Sequence, residues 1–245
     1  MVIEPQPPLA APTDERPAVA WRARDLIGAG LLGLLLGVVL MIPVIAFQVR
    51  DASSPSLGTY ALAGLMVYIA LFFTTWWLGL KRRGATLWDA GFRRVSLGTL
   101  AKMIPVTIGM MIVTALVVTL SAQVFGDVPT AQDQVGAGDA TSLAFSDFLW
   151  IFAVGAIGAP IAEEFLFRGM LYRLLRVRMQ VILAVALSAL AFAFLHFIPP
   201  LVPALLVMGI VLAVVAERYD SLYPAMVVHA LNNGFAIIAL YIALG

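Results

Sequence analysis

The 245-residue chain has no cysteine, only two histidines, and few charges: Lys, Arg, Asp and Glu together make up 12% of it. Without cysteine there are no disulfides, no thiolate metal ligands and no cysteine nucleophile; the absence says nothing about compartment. The shortage of charge accompanies 62% hydrophobic residues and a mean hydropathy of +1.00. Soluble domains run about 45–50% apolar and about 25% charged, so an ordinary soluble domain is excluded. The net charge of +1 is too small to suggest a nucleic-acid partner. There is no internal repeat and no HExxH pattern, and no serine is placed as an obvious nucleophile.

What the chain does have is long apolar runs. About 20 apolar residues cross a bilayer as a helix. Seven stretches qualify: Leu26–Phe47, Leu57–Leu80, Leu100–Val124, Phe148–Leu171, Met179–Ile198, Leu201–Ala216 and Leu222–Leu244. The fold class expected is an all-α polytopic membrane bundle of about seven transmembrane helices. Leu87–Leu97 offers an eighth helix lying in the interface. Residues 1–25, with Pro5, Pro7, Pro8, Pro12 and Pro17, read as a disordered tail. The apolar run behind it, at about 22 residues, is too long for a signal peptide. Three regions follow: 26–124 with three spans, a 125–147 loop that is polar and reads as a solvated connector, and 148–245 with four spans. Trp76, Trp77, Trp88 and Trp150 read as interfacial belt residues. Gly33-x-x-x-Gly37 reads as a close helix contact inside the molecule.

Basic residues orient the bundle. Arg16, Arg22 and Arg24 precede the first span, and Lys81, Arg82, Arg83, Arg93 and Arg94 follow the second. Arg173, Arg176 and Arg178 follow the fourth, and Arg218 lies near the end of the sixth. The opposite loops hold Arg50 alone against Asp127, Asp133, Asp139 and Asp147. The positive-inside rule places the N-terminus in the cytoplasm and the C-terminus outside, in what reads as a bacterial cell membrane.

Against this background the intramembrane ionisable groups are costly, at about 2.5–3.5 kcal/mol each on insertion scales. Glu163, Glu164 and Arg168 sit in the fourth span, His196 in the fifth and His229 in the seventh. Residues four apart share a helix face. Glu164 can therefore pair with Arg168, while Glu163, rotated by about 100°, is the carboxylate left over. Phe192 and His196 are four apart, as are His229 and Asn233. A carboxylate in an apolar site suits general acid–base work on water, a histidine can orient that water, and a second histidine with an amide can donate to an oxyanion. Three readings stay open at this point. The first is water activated by glutamate without a metal. The second is a zinc site on Glu163, His196 and His229, since three protein ligands plus water make catalytic zinc. The third is a purely structural polar cluster, with Asn233 as helix–helix glue.

Glu163-Glu164-x-x-x-Arg168, Phe192-x-x-x-His196 and His229-x-x-x-Asn233, in that order on three spans, resemble the signature of the CPBP family. That family holds the CAAX prenyl endopeptidases of the second type and the bacteriocin-processing or bacteriocin-immunity (ABI) proteins. The resemblance covers roughly Phe148–Leu244; the first three spans carry no matching motif. It implies an intramembrane endopeptidase acting on a membrane-anchored, prenylated CAAX-type peptide. By the same carry-over Glu163 and His196 would activate water, and His229 and Asn233 would stabilise the oxyanion. Glu164, Arg168 and Phe192 would support them. The family has been described both as metalloproteases and as glutamate proteases, so zinc remains open, as does the oligomeric state. A non-catalytic immunity or scaffold protein on the same fold is the alternative, and a transporter or proton relay a third.

One expectation strains the reading. With the span ends given above, Glu163 lies about 12 Å from the cytoplasmic end of its helix and His196 about 26 Å along its own. The two could meet only if span five tilts and the Pro199-Pro200-x-x-Pro203 turn is recessed.

Overall fold

The computed structural model describes residues 19–49, 56–136 and 140–245, in which helices are joined by turns and irregular segments and no strand occurs. Seven main helices order the described residues: α1 (Ala23–Val49), α2 (Leu57–Arg83), α3 (Leu97–Phe125), α4 (Phe145–Arg176), α5 (Val181–Phe194), α6 (Pro199–Tyr219) and α7 (Leu222–Leu244). Six are long and apolar enough to cross a membrane. The chain is an integral membrane protein built as a polytopic helical bundle.

The fifth expected span is where helix length departs from the sequence reading. Its 14 residues make α5 about 21 Å long, short of a hydrocarbon core of about 30 Å. The helix stops because Leu195–Phe197 unwind, Phe197 takes a left-handed backbone (φ 56°), and Pro199 and Pro200 follow. The expected interfacial helix at Leu87–Leu97 is also absent. Residues 87–91 form consecutive turns, pinned by Asp89 accepting from the Thr86 N–H and hydroxyl and ended by Gly91 at φ 99°.

α1 and α2 lie against each other. A Cβ on Gly37 would stand 2.6 Å from the Val67 Cα, and one on Gly33 2.7 Å from the Thr74 hydroxyl, so glycine is what allows the approach. Thr74 donates to the Ala29 carbonyl across this contact at 2.9 Å. The opposite face of α1, with Leu31, Leu35 and Val39, is exposed for lipid. The main core joins α3, α4, α5, α6 and α7 through Met103, Met110, Phe167, Phe192, Leu212 and Val228. α5 and α6 touch through small residues: a Cβ on Gly209 would lie 2.9 Å from the Ala189 Cα.

Residues 1–18 of the expected tail lie outside the described residues. Within residues 19–25 it is Trp21 that anchors the chain to the bundle: it is fully buried and its Nε1 donates to the Met170 carbonyl at 3.0 Å. The 125–147 connector is more than a solvated loop. It carries a one-turn helix, Ala131–Gln134, with a Thr130/Asp133 capping box, and Leu143 is buried against α7, its N–H donating to the Leu244 carbonyl.

α4 positions the site and is not a uniform α-helix. Ala153–Gly158 and Phe165–Tyr172 are π-helical, flanking an α-helical turn at Ala159–Glu164. π segments inside α-helices are rare and concentrate at functional sites. α4 also continues past Leu171, where the sequence reading ended it, because Arg173 and Arg176 stay helical by pairing with Asp220 and Glu217. This resolves the mismatch in depth. Glu163 is thirteen residues, about 20 Å, from the end of α4, and His196 lies fifteen residues, about 22 Å, from the start of α5.

Candidate active site

Glu164 and Arg168 are both fully buried. Arg168 Nη1 donates to Glu164 Oε1 at 2.9 Å and Nη2 to the Gly209 carbonyl at 3.0 Å. The guanidinium also lies 4.5 Å from the Phe192 ring centroid, a cation–π contact away from water. The pairing expected from the four-residue spacing is therefore present. Spacing could not show the rest: His229 Nδ1 lies 3.0 Å from the same Glu164 Oε1. Oε1 already accepts from Arg168, so in this contact too it is the acceptor and the His229 Nδ1–H the donor. Glu164 thus orients a histidine 65 residues away as well as holding an arginine.

The second histidine is set by the same logic. His196 Nδ1 lies 2.7 Å from the Phe192 carbonyl, which can only accept. Its ring stacks edge-on against Phe192 with centroids 4.6 Å apart, so Phe192 holds His196 through both backbone and ring. Both imidazoles have their Nδ1 engaged, which leaves each Nε2 free to face Glu163. His229 Nε2 is 3.8 Å and His196 Nε2 3.9 Å from Glu163 Oε2. That oxygen is buried and has no hydrogen-bond partner in the protein. Gaps of this size are too long for direct hydrogen bonds and fit one shared water. His196 is the most open of the three, its side chain 28% exposed against 13% for Glu163 and 3% for His229.

Asn233 sits one turn beyond His229, and its Nδ2 donates to the Gly155 carbonyl of α4 at 2.9 Å. Its Oδ1 accepts from Asn232 at 3.2 Å. Sequence reasoning missed Tyr68 on α2, whose phenol lies near the Glu163 carboxylate. A tyrosine in the middle of an apolar run was the available signal, but spacing within α2 gives it no partner. Tyr68 also lines an apolar groove of about 220 Å³ between α2 and α4, with Leu65, Ile69, Phe72, Gly158 and Ile161. A larger cavity, about 380 Å³, lies away from the glutamates at the arginine-rich end, between Trp21, Arg93 and Arg173.

The donor set suits zinc in kind: two imidazole nitrogens and a carboxylate, one imidazole backed by a second carboxylate. The spacing does not suit it. Tetrahedral zinc with ligands at about 2.0–2.1 Å brings donor atoms to about 3.3–3.5 Å of each other, and these stand at 3.8 and 3.9 Å. Among the described residues no three His, Cys, Asp or Glu side chains gather as a metal-binding group.

Residues 145–235 match the family model described as Rce1-like, type II CAAX prenyl endopeptidase Rce1-like. The region is similar to an Rce1-like domain. The match starts at the first residue of α4 and ends in α7, so it holds all three motif helices and bears out the resemblance read from the motifs. The Rce1-like region contains Glu163, Glu164, Arg168, Phe192, His196, His229 and Asn233; Tyr68 lies outside it. No curated protein and no solved structure matches the chain.

Proposed function

We propose that the protein is an intramembrane endopeptidase in which Glu163 activates water to hydrolyse a peptide bond of a membrane-anchored, CAAX-type lipidated substrate. The observation that carries this reading is the convergence of His196 Nε2 and His229 Nε2 on one buried, unpartnered carboxylate oxygen. In the proposed reaction a water lies between Glu163 Oε2 and the two imidazoles. It gives its proton to Glu163 as its oxygen attacks the scissile carbonyl. His196, the most open of the three, orients the water. Once the water has left the site, Glu163 and His229 Nε2 close their 3.8 Å gap and the proton passes to the imidazole, and the resulting imidazolium is stabilised by the Glu164 carboxylate behind it. His229 then donates to the oxyanion, beside the Asn233 N–H that Gly155 does not use, and finally delivers the proton to the leaving amine. No step is routed through a metal. Tyr68 approaches the carboxylate from the N-terminal half, and the apolar groove it lines is matched in chemistry to a lipid anchor.

The basic loops orient the chain with its N-terminus in the cytoplasm and its C-terminus outside. The test is cleavage of a farnesylated CAAX peptide by the purified protein in liposomes, with and without a strong zinc chelator. Cleavage should survive chelation and disappear in Glu163→Gln. Cleavage at the parent rate by that variant overturns the mechanism.

A further inference from the structure

Pro160 sits inside α4, where its missing N–H leaves a carbonyl without a donor, and the identity of that carbonyl depends on the local helical register. The Ala159 N–H bonds to the Val154 carbonyl, five residues back. In that register residue 160 would serve Gly155, and proline cannot. The two N–H groups in position to reach the Gly155 carbonyl are thus one already committed to Val154 and one that does not exist. An unsatisfied backbone group is costly inside a bilayer. Asn233 Nδ2 fills the gap at 2.9 Å. The approach is close because both helices are small there: a Cβ on Gly155 would stand 2.9 Å from the Ile237 side chain, and one on Gly234 3.4 Å from the Phe152 ring.

We infer that Pro160 and Asn233 form a positioning device, in which the proline exposes the Gly155 carbonyl and the asparagine takes it, locking α7 to α4 in depth and rotation. Glu163 lies one turn after Pro160, and His229 one turn before Asn233. The lock therefore sets the 3.8 Å gap between Glu163 and His229. It rests on the proposed hydrolytic role of that pair only for its catalytic consequence; the structural coupling stands by itself. The π-helical stretch at Ala153–Gly158 acquires a role as well, since an α-helical register would give the Ala159 N–H to Gly155 and make Asn233 a second donor there rather than the one that fills the gap.

The test is a double-mutant cycle of Asn233→Ala and Pro160→Ala in the full-length protein, read by thermal unfolding in detergent and by cleavage of the farnesylated peptide. Alanine at 160 restores an N–H to the helix. Asn233→Ala should lower the unfolding temperature clearly in the parent and much less in the Pro160→Ala background. Its loss of cleavage rate should likewise shrink by about tenfold or more there, a coupling of the size neighbouring groups show. Should Asn233→Ala alone fail to accumulate, recovery of folded protein in the double variant is the expected rescue. Equal effects in both backgrounds, or no recovery in the double variant, overturn the device. If the parent protein cleaves nothing while the unfolding temperatures couple as expected, the endopeptidase reading has failed and the device stands.

Discussion

Two networks of ion pairs occupy the molecule at different depths, and they are built from the same groups. At the arginine-rich end, Arg93 and Arg173 both pair with Asp220, while Arg176 and Tyr172 meet at Glu217. Asp220 remains 46% exposed, so its charge is shared with solvent. In the middle of the bundle, Glu164 and Arg168 have no exposure at all, and their partners are His229, the Gly209 carbonyl and the Phe192 ring. Water moderates the outer network, so single losses there are small. In the inner network each group removed leaves another charge uncompensated in a medium of low dielectric. Glu163 is the exception inside, because it lies outside the Glu164–Arg168 pair and its Oε2 faces only the two imidazoles, at 3.9 and 3.8 Å, so less stability depends on its charge. A site residue that gives up stability in this way is common where function needs the group free.

The comparison breaks most readily at Arg168. Arg168→Met should destabilise by about 3–5 kcal/mol, the cost of stranding one partner of a buried pair, and should be visible as loss of folded protein from the membrane. A variant that unfolds at the parent temperature would show that Glu164 can be neutralised without cost. Glu163→Gln should do the reverse. Its cleavage rate should fall by about 10²–10⁴, with the unfolding temperature unchanged or higher. Adjacent glutamates would then divide into one that holds the fold and one that does the chemistry, and Glu164→Gln, losing grip on both Arg168 and His229, should fall on the stability side.

A smaller effect is expected from packing. Gly209→Val brings a Cβ against the Ala189 backbone and should cost about 1–3 kcal/mol, in part by shifting the carbonyl that Arg168 uses. Arg93→Ala, at the rim, should change stability by only about 0.2–1 kcal/mol, and the difference should shrink in high salt. Smallest is the pH dependence of Asp89. Hydrogen bonds from the Thr86 N–H and hydroxyl hold its carboxyl below the usual range. A depressed folded-state value means its contribution is present at neutral pH and lost on acidification. Asp89→Asn should therefore be slightly less stable than the parent at pH about 7, the gap closing as the pH falls below the ordinary value of about 3.9. A constant gap would assign the effect to packing.

Much of the site was legible before any tertiary contact was known. Residue type and four-residue spacing paired Glu164 with Arg168, set Glu163 apart and joined Phe192 to His196. The order of the three motifs carried the family resemblance. Span ends were the weak point. Basic residues were read as marking where the helix stops, yet Arg173 and Arg176 continue it because partners on α6 and in the turn after it hold them in place. Tyr68 was missed because its partner is 95 residues away on another helix, where no periodicity reaches.

The apolar runs determined by themselves that this chain is a helical membrane bundle, since backbone polar groups in hydrocarbon must be satisfied within the segment that carries them. They also determined which few side chains would be expensive to bury. Only the tertiary structure decided what those side chains meet. It made Glu164 a partner of His229 as well as of Arg168, brought both histidines to the same oxygen of Glu163, and gave Asn233 the carbonyl that Pro160 leaves open. The physical reason is reach. Spacing along one helix fixes direction around its axis, whereas depth and rotation between helices depend on where each begins and ends, where π turns slip the register, and which small residues let two backbones close.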